Sequence, residues 1–277
     1  MLVSLKEILK IAEARKIAIG AFNGNSLEST EAILDAAEEK NLPVILMHAQ
    51  IHEEMGLCRL DNIGRVLVMM AEKASVPVCV HLDHGTDLGY LKKGLDLGFT
   101  SVMYDGSTLP YEENYANTCV TVELAAQYGA SVEAEIGSMG ERDSATGSNP
   151  NGYTDPEAAR VFAESTGIDA LACSFGTVHG IYFKEPKLDF DRLGKIDELV
   201  KIPLVMHGGS GVSDEDYRRV ISLGIRKINY YTYMAKAGGT AVAAMKDMTF
   251  FHDISVAAQK AMRENVAHAM SVFAGLN

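Results

Sequence analysis

Short apolar runs rich in β-branched residues recur along the chain at 17–22, 43–48, 76–81, 100–104, 131–135, 170–175, 202–207 and 227–230. The stretches between them place apolar residues at helical spacing. Leu27, Ile33, Leu34 and Ala37 line one face against Glu28, Glu31, Asp35 and Glu38, and Tyr115, Cys119, Val122 and Ala126 repeat the pattern. Strands alternating with helices predict a parallel sheet with right-handed crossovers. Eight such units in 277 residues match a closed α/β barrel, the (β/α)8 TIM barrel, better than an open sheet. The competing doubly wound fold carries G-x-G-x-x-G after its first strand, and Gly20-Ala21-Phe22-Asn23-Gly24 does not fit. No linker-like shift in composition interrupts the pattern, so residues 1–277 are expected to form one domain.

Composition narrows the function. Twenty-five Lys and Arg against 37 Asp and Glu leave a net charge of −12, which argues against a nucleic-acid partner. An anionic small-molecule substrate stays open, because a few local cations or a metal override the global field. Cys58, Cys79, Cys119 and Cys173 are scattered, with no Cys-x-x-Cys pair, and predict reduced, mostly buried thiols in a reducing compartment. The start, Met1-Leu2-Val3-Ser4-Leu5-Lys6-Glu7, lacks a basic region before a long apolar core, and no run approaches ~20 apolar residues. A cytoplasmic protein without a membrane partner is expected.

Polar residues collect where a parallel barrel gathers its reacting groups, at the carboxyl ends of the strands. Strand three ends His81-Leu82-Asp83-His84-Gly85, strand four Tyr104-Asp105-Gly106-Ser107, and strand five Glu133-Ala134-Glu135. Strand six is followed by Gly176-Thr177-Val178-His179-Gly180, strand seven by His207-Gly208-Gly209-Ser210-Gly211, and strand eight by Asn229-Tyr230-Tyr231-Thr232. Histidines from strands three, six and seven converge on one volume, and imidazoles suit zinc. Three neutral ligands leave a position open, the mark of a catalytic rather than a structural ion. Strict alternation leaves open which of His81 and His84 turns inward. Asp83 is placed for proton transfer beside the metal, or for orienting a ligand histidine. The glycine-rich turn at 208–211 predicts a phosphate cradle, with the Ser210 and Thr232 hydroxyls as added donors. The Gly/Ser/Asn-rich segment 137–152, carrying Glu141, Arg142 and Asp143, predicts a mobile flap over the active face, a plain surface loop being the alternative.

Taken together, these segments resemble the class II, zinc-dependent ketose-bisphosphate aldolases, the group of fructose- and tagatose-1,6-bisphosphate aldolases. The likeness runs from Ala18-Ile19-Gly20-Ala21-Phe22-Asn23 to Lys227-Ile228-Asn229. Its most specific pieces are His81-Leu82-Asp83-His84-Gly85, Ser101-Val102-Met103-Tyr104-Asp105-Gly106-Ser107, Val132-Glu133-Ala134-Glu135-Ile136-Gly137, Val178-His179-Gly180 and Leu204-Val205-Met206-His207-Gly208. The resemblance implies reversible cleavage of a ketose phosphate to dihydroxyacetone phosphate and an aldehyde. It implies His84, His179 and His207 as zinc ligands and Asp83 as the catalytic acid/base. Asp105 and Glu135 fall where the family holds a second or displaced divalent metal. Gly180, Gly208, Ser210, Asn229 and Thr232, with Gly209 and Tyr231 beside them, fall on the substrate-binding positions. A sodium or potassium ion near the phosphate and a homodimer or homotetramer are further family traits. A flap carboxylate returns the proton in the family; Met139-Gly140-Glu141-Arg142-Asp143 departs from the usual glycine pair, and Glu141 is preferred over Asp143.

Two departures concern the far end of the substrate. Tyr231 stands where the bisphosphate aldolases carry a small or acidic residue. Before the final helix, Phe250-Phe251-His252-Asp253-Ile254 offers His252 where the family places an arginine for the second phosphate. Histidine lacks the planar fork that grips phosphate. Arg263 or an arginine of a partner subunit is the alternative source of charge. His48, ending the second strand, is positioned to contact the aldehyde; His52 is expected on the solvated side of a helix, and Tyr104 lies near the active face. These features predict an aldehyde other than glyceraldehyde 3-phosphate, unphosphorylated or carrying another acid group, against the alternative of a standard fructose- or tagatose-bisphosphate aldolase. A zinc hydrolase on the same barrel would begin His-x-His on its first strand, and Phe22-Asn23-Gly24-Asn25 has none. A non-catalytic sugar-phosphate-binding relative would lose Asp83 or a zinc histidine, and none is lost.

Overall fold

Eight parallel strands close on themselves in chain order: β1 (Ile19–Asn23), β2 (Val44–Ala49), β3 (Val78–Gly85), β4 (Ser101–Tyr104), β5 (Ser131–Ile136), β6 (Ala170–Cys173), β7 (Leu204–Met206) and β8 (Ile225–Asn229). β8 pairs back onto β1 through Ile19–Lys227 and Ala21–Asn229, so the sheet is a TIM barrel and the doubly wound alternative falls. The computed structural model describes residues 1–137, 152–246 and 250–276. Between the strands run α2 (Leu27–Lys40), α3 (Gln50–Glu54), α4 (Leu60–Lys73), α5 (Leu88–Asp96), α6 (Tyr111–Ala126), α7 (Pro156–Thr166), α8 (Phe190–Leu199) and α9 (Asp214–Ser222). α1 (Leu5–Arg15) precedes the barrel; α10 (Thr232–Ala243) and α11 (Phe251–Phe273) follow it. Among the described residues no helix is long and apolar enough to cross a membrane.

Alternation along each strand builds two cores. One set of positions, including Leu46, Val80, Leu82, Val102, Val132 and Leu171, packs outward beneath the helices. The other set faces the barrel interior, where Ile19, Ala21, Ile45, Met47, Cys79, Ala170, Ala172 and Val205 meet Leu5, Ile8, Leu9 and Ala12 of α1. α1 therefore plugs the floor. Its start is fixed by a capping box in which Ser4 and Glu7 each accept the other's backbone N–H, and its end by Lys16 in the left-handed conformation. Higher in the barrel the same inward positions turn polar: His81, Ser101, Glu133, His207 and Lys227 are all buried. Of the thiols, Cys79 and Cys173 are buried, Cys58 and Cys119 half-buried, and none is paired.

β3 runs four residues beyond its predicted end, and its pairing shows why. His81 and Leu82 oppose Ser101 and Val102, but Gly85 opposes Tyr104, so Asp83 and His84 share a register that holds one residue on β4. This is a β-bulge. His84 takes φ 49°, the left-handed region, and is the one non-glycine residue there among the described residues that does not cap a helix. Such a backbone costs about 1–3 kcal/mol. Regular alternation would send Asp83 and His84 to opposite faces; the bulge turns both toward the same cavity.

A second backbone constraint lies at the end of β7. Gly208 has φ +62°, and a Cβ there would sit 2.4 Å from the carbonyl oxygen of Val178, the residue before His179. Gly208→Ala is expected to destabilise the fold by about 2 kcal/mol and to lower the melting temperature by roughly 4–8 °C. Calorimetry of the variant checks this, and an unchanged Tm would mean that the 178–179 backbone gives way freely.

Candidate active site

The carboxyl ends of the strands enclose a cavity of about 580 Å³. On its floor three histidines converge. The rings of His84 and His207 lie 4.6 Å apart, those of His84 and His179 4.9 Å, and those of His179 and His207 6.0 Å. One nitrogen from each ring lies within 4.8 Å of the others. Carboxylates hold the far sides of two rings: His84 Nδ1 is 2.7 Å from Asp105 Oδ2, and His207 Nε2 is 2.7 Å from Glu133 Oε1. Asp105 is itself fixed by Ser107, whose Oγ and N donate to Oδ1.

These contacts decide what faces the centre. Each carboxylate accepts a proton from the nitrogen it touches, so His84 Nε2 and His207 Nδ1 turn lone pairs toward each other at 2.9 Å. Two lone pairs at that distance repel unless a proton or a cation lies between them. The charge environment agrees. Burial pulls the His84 pKa down, but the Asp83 charge and the Asp105 hydrogen bond outweigh it and raise it to about 10. Burial, then the charges of the neighbouring imidazoles, lowers His179 to about 3 and also lowers His207. The three rings thus share one positive charge. A divalent cation meets the same demand, and the donor set fits one.

The acids around the histidines differ in character. Asp83 is buried; its Oδ1 accepts from Asn229 Nδ2 at 3.0 Å, and its Oδ2 lies 3.9 Å from His84 Nε2. Burial raises its pKa, yet the charges of His84, His207 and Lys227 together hold it well below the ordinary carboxylate range. Glu135 is opposite: burial first, then the Asp105 charge, pushes it well above the usual value, and its Oε2 has no hydrogen-bond partner. His84, Asp105 and Glu135 form a second group of potential ligands, although His84 Nδ1 is already engaged by Asp105. Below them, His81, Asp83 and Glu133 form a third, with the Lys227 ammonium seated 2.9 Å from Glu133 Oε2. Burial raises Glu133 as well, but Lys227 and the His207 hydrogen bond bring it down to about 2.

The opposite wall is built from the turns after β7 and β8. Gly180, Gly208, Ser210, Asn229, Tyr231 and Thr232 line the cavity. α10 begins there without a cap from its own N-cap side chain; Ser210 Oγ accepts from the backbone N–H groups of Tyr231 at 3.1 Å and Tyr233 at 3.5 Å. A helix start beside a glycine turn suits an anion. Gly209 does not line the cavity; its N–H donates to Asn229 O, and a Cβ there would meet Ile228 and the Asn229 carbonyl. Its smallness seats the turn against β8.

Other expected residues fall elsewhere. Glu141, with Arg142 and Asp143, lies outside the described residues. His48 does not reach the cavity. It faces outward from β2, where its Nε2 meets Tyr90 Oη at 2.9 Å, and burial lowers its pKa to about 4. Alternation explains this, since Met47 and Ala49 occupy the inward positions flanking it. Tyr104 likewise packs outward and accepts from Asn117 Nδ2. His52, expected in solvent, is buried and lines the cavity, 4.5 Å from the Tyr231 ring with Nδ1 3.1 Å from Asn25 Nδ2. His252 is exposed on α11 against Phe250, and Arg263 pairs with Glu39 at 2.7 Å; neither lines the cavity. Asn23 is a lining residue the motifs did not single out, with Nδ2 left without a partner. Its signal was available: it is the polar inward position that ends β1.

The family model described as fructose-bisphosphate aldolase class-II matches residues 3–277. The fructose-bisphosphate aldolase of Geobacillus stearothermophilus is 44% identical over 237 residues, 83% of this chain and 81% of that one. That of Staphylococcus aureus (strain Mu50) is 41% identical over 247 residues, 87% and 85% of the two chains. The crystal structure of the YdjI aldolase from Escherichia coli K12 superposes with a TM-score of 0.89 at 35% identity, covering 99% of this chain and 97% of that one. Alike in sequence and in barrel over nearly its whole length, the chain belongs to the class II fructose-bisphosphate aldolase family, metal-dependent lyases acting on sugar phosphates.

Proposed function

We propose that the chain is a zinc-dependent aldolase that reversibly cleaves a ketose phosphate to dihydroxyacetone phosphate and an aldehyde lacking a second phosphate. The observation that carries the metal reading is the pair of imidazole nitrogens facing at 2.9 Å with carboxylates behind both rings. His84, His179 and His207 would hold the ion, with Asp105 and Glu135 available to a second or displaced one. A divalent ion there supplies Lewis acidity, easing negative charge onto the oxygens of the substrate.

The chain's own residues do the rest. Asp83 takes the proton from the hydroxyl on the carbon next to the bond that breaks, and returns it when the bond forms. Asn229 Nδ2, donating to Asp83 Oδ1, holds that carboxylate in line. Gly180, Gly208, Ser210 and Thr232 bind the phosphate through backbone N–H groups and hydroxyls at the start of α10. Glu141 is assigned protonation of the carbon released by cleavage, on sequence grounds. No lysine Schiff base is needed.

The aldehyde end supports a non-bisphosphate substrate. Among the described residues lining the cavity there is no lysine or arginine, while Glu54, Asp83, Asp105 and Glu135 are acids. His52 and Tyr231 line the same cavity with their two rings in contact. The names of the relatives favour the second reading, a fructose-1,6-bisphosphate aldolase.

Three measurements test these assignments. Chelation should abolish turnover, and zinc or cobalt should restore it; activity that survives exhaustive chelation removes the metal. Asp83→Ala should keep zinc bound while kcat falls by about 10²–10⁴, whereas near-normal turnover with metal in place would reduce Asp83 to an orienting role. Ketose 1-phosphates should be cleaved with higher kcat/KM than ketose 1,6-bisphosphates, and clearly faster turnover of the bisphosphates would overturn the aldehyde assignment.

A further inference from the structure

Lys227 takes no part in the chemistry above and Glu133 enters it only as the acceptor behind His207, yet both are wholly buried inside the barrel. We propose that Lys227 is a positioning residue for the metal-binding nitrogen of His207, acting through Glu133, so that a β5–β8 ion pair across the barrel decides which nitrogen of that ring meets the metal. This rests on the reading of His84, His179 and His207 as the metal site.

The geometry is a relay. The Lys227 ammonium lies 2.9 Å from Glu133 Oε2 and 3.2 Å from Oε1, gripping both oxygens, and no other partner of Nζ is found among the described residues. Oε1 also receives His207 Nε2 at 2.7 Å. A carboxylate only accepts, so His207 carries its proton on Nε2 and presents the Nδ1 lone pair to the metal cluster. The carboxylate in turn needs its counter-charge. Cys79, Ala170, Ala172 and Val205 make the interior below apolar, and a lone buried carboxylate there would swing toward other donors and release the ring. His81 Nε2 stands 3.7 Å from Glu133 Oε2 as one such donor.

Stability alone does not call for this pair. Barrel interiors at this level are ordinarily filled by branched apolar side chains, and neutral replacements for a buried ion pair are commonly as stable. What apolar residues cannot supply is an acceptor of fixed sense behind His207.

The test measures zinc affinity by competition with a chromogenic chelator, together with the absorption spectrum of the cobalt-loaded protein. Lys227→Met should weaken zinc binding about 10- to 100-fold and shift the cobalt bands. Adding Glu133→Gln to it should restore affinity to within roughly threefold, because the amide oxygen accepts from Nε2 without a counter-charge. Glu133→Leu with Lys227→Met, which also leaves a neutral interior but no acceptor, should stay weak. Wild-type affinity and spectrum in folded Lys227→Met would overturn the proposal. Equal affinity in the two double variants would overturn it too, even if the single variant does not fold. A wild-type chain whose zinc binding is unaffected by His207→Ala would instead sink the metal-site reading, and the proposal with it.

Discussion

The upper half of this barrel depends on one electrostatic demand: the point where His84, His179 and His207 meet must be positive. Asp105 and Glu133 commit the outer nitrogens of two rings and thereby aim two lone pairs inward. Asp83 stands within 4 Å of His84 Nε2, adding negative field from a third direction. The Asp83 charge and the Asp105 hydrogen bond raise the His84 pKa to about 10, whereas burial first, then the charge of His84, lowers those of His179 and His207, so positive charge is favoured on His84. With a divalent ion the same fields become attraction. The arrangement is unfavourable when empty of positive charge and favourable when it holds it, which is the character of a binding site rather than of a core.

Such a site has to be held by the rest of the molecule. The β3 bulge places His84 in a left-handed conformation, and buried charged groups crowd the interior below it. The floor offsets this. α1 and the lower inward positions form a dry apolar layer, and the outward positions of every strand pack under helices. Division by height follows from the parallel barrel itself. All strands run the same way, so one end collects loops and helix starts while the other is free to be sealed.

Much of this is legible in the sequence, and the illegible parts have physical causes. The apolar runs mark the strands because their outward positions are buried under helices and their lower inward positions meet the apolar floor. Polar residues at their ends then mark the active face. What the pattern could not decide was His81 against His84, because a bulge is a pairing event between β3 and β4 and leaves no trace in β3 alone. His48 is a different case. Ile45, Met47 and Ala49 being inward fixes it outward, so its place beside Tyr90 was implied by the strand's own parity. His52 was not decidable locally: α3 is five residues long, and its burial comes from Tyr231 and Asn25, far along the chain in one case and on another strand's loop in the other. Gly209 fell on a binding motif but serves packing, since only the three-dimensional approach to β8 shows which glycine faces outward from the turn.

The distribution of charge around the cavity bears on the substrate. A phosphate is stabilised either by fixed cations or by backbone N–H groups at a helix start, and only the second is present among the described residues, beside Ser210 and Thr232. Among the described residues lining the cavity there is no guanidinium; Arg263 is paired with Glu39 and His252 is exposed. Asn23 Nδ2 and Asn229 Oδ1 are a donor and an acceptor without hydrogen-bond partners, both buried at the cavity wall. Buried polar atoms left unpaired are unfavourable until something pairs them, and hydroxyl groups, which both donate and accept, can pair with each. The site thus carries two unmet demands, a positive charge where the histidines meet and hydrogen-bond partners for Asn23 and Asn229.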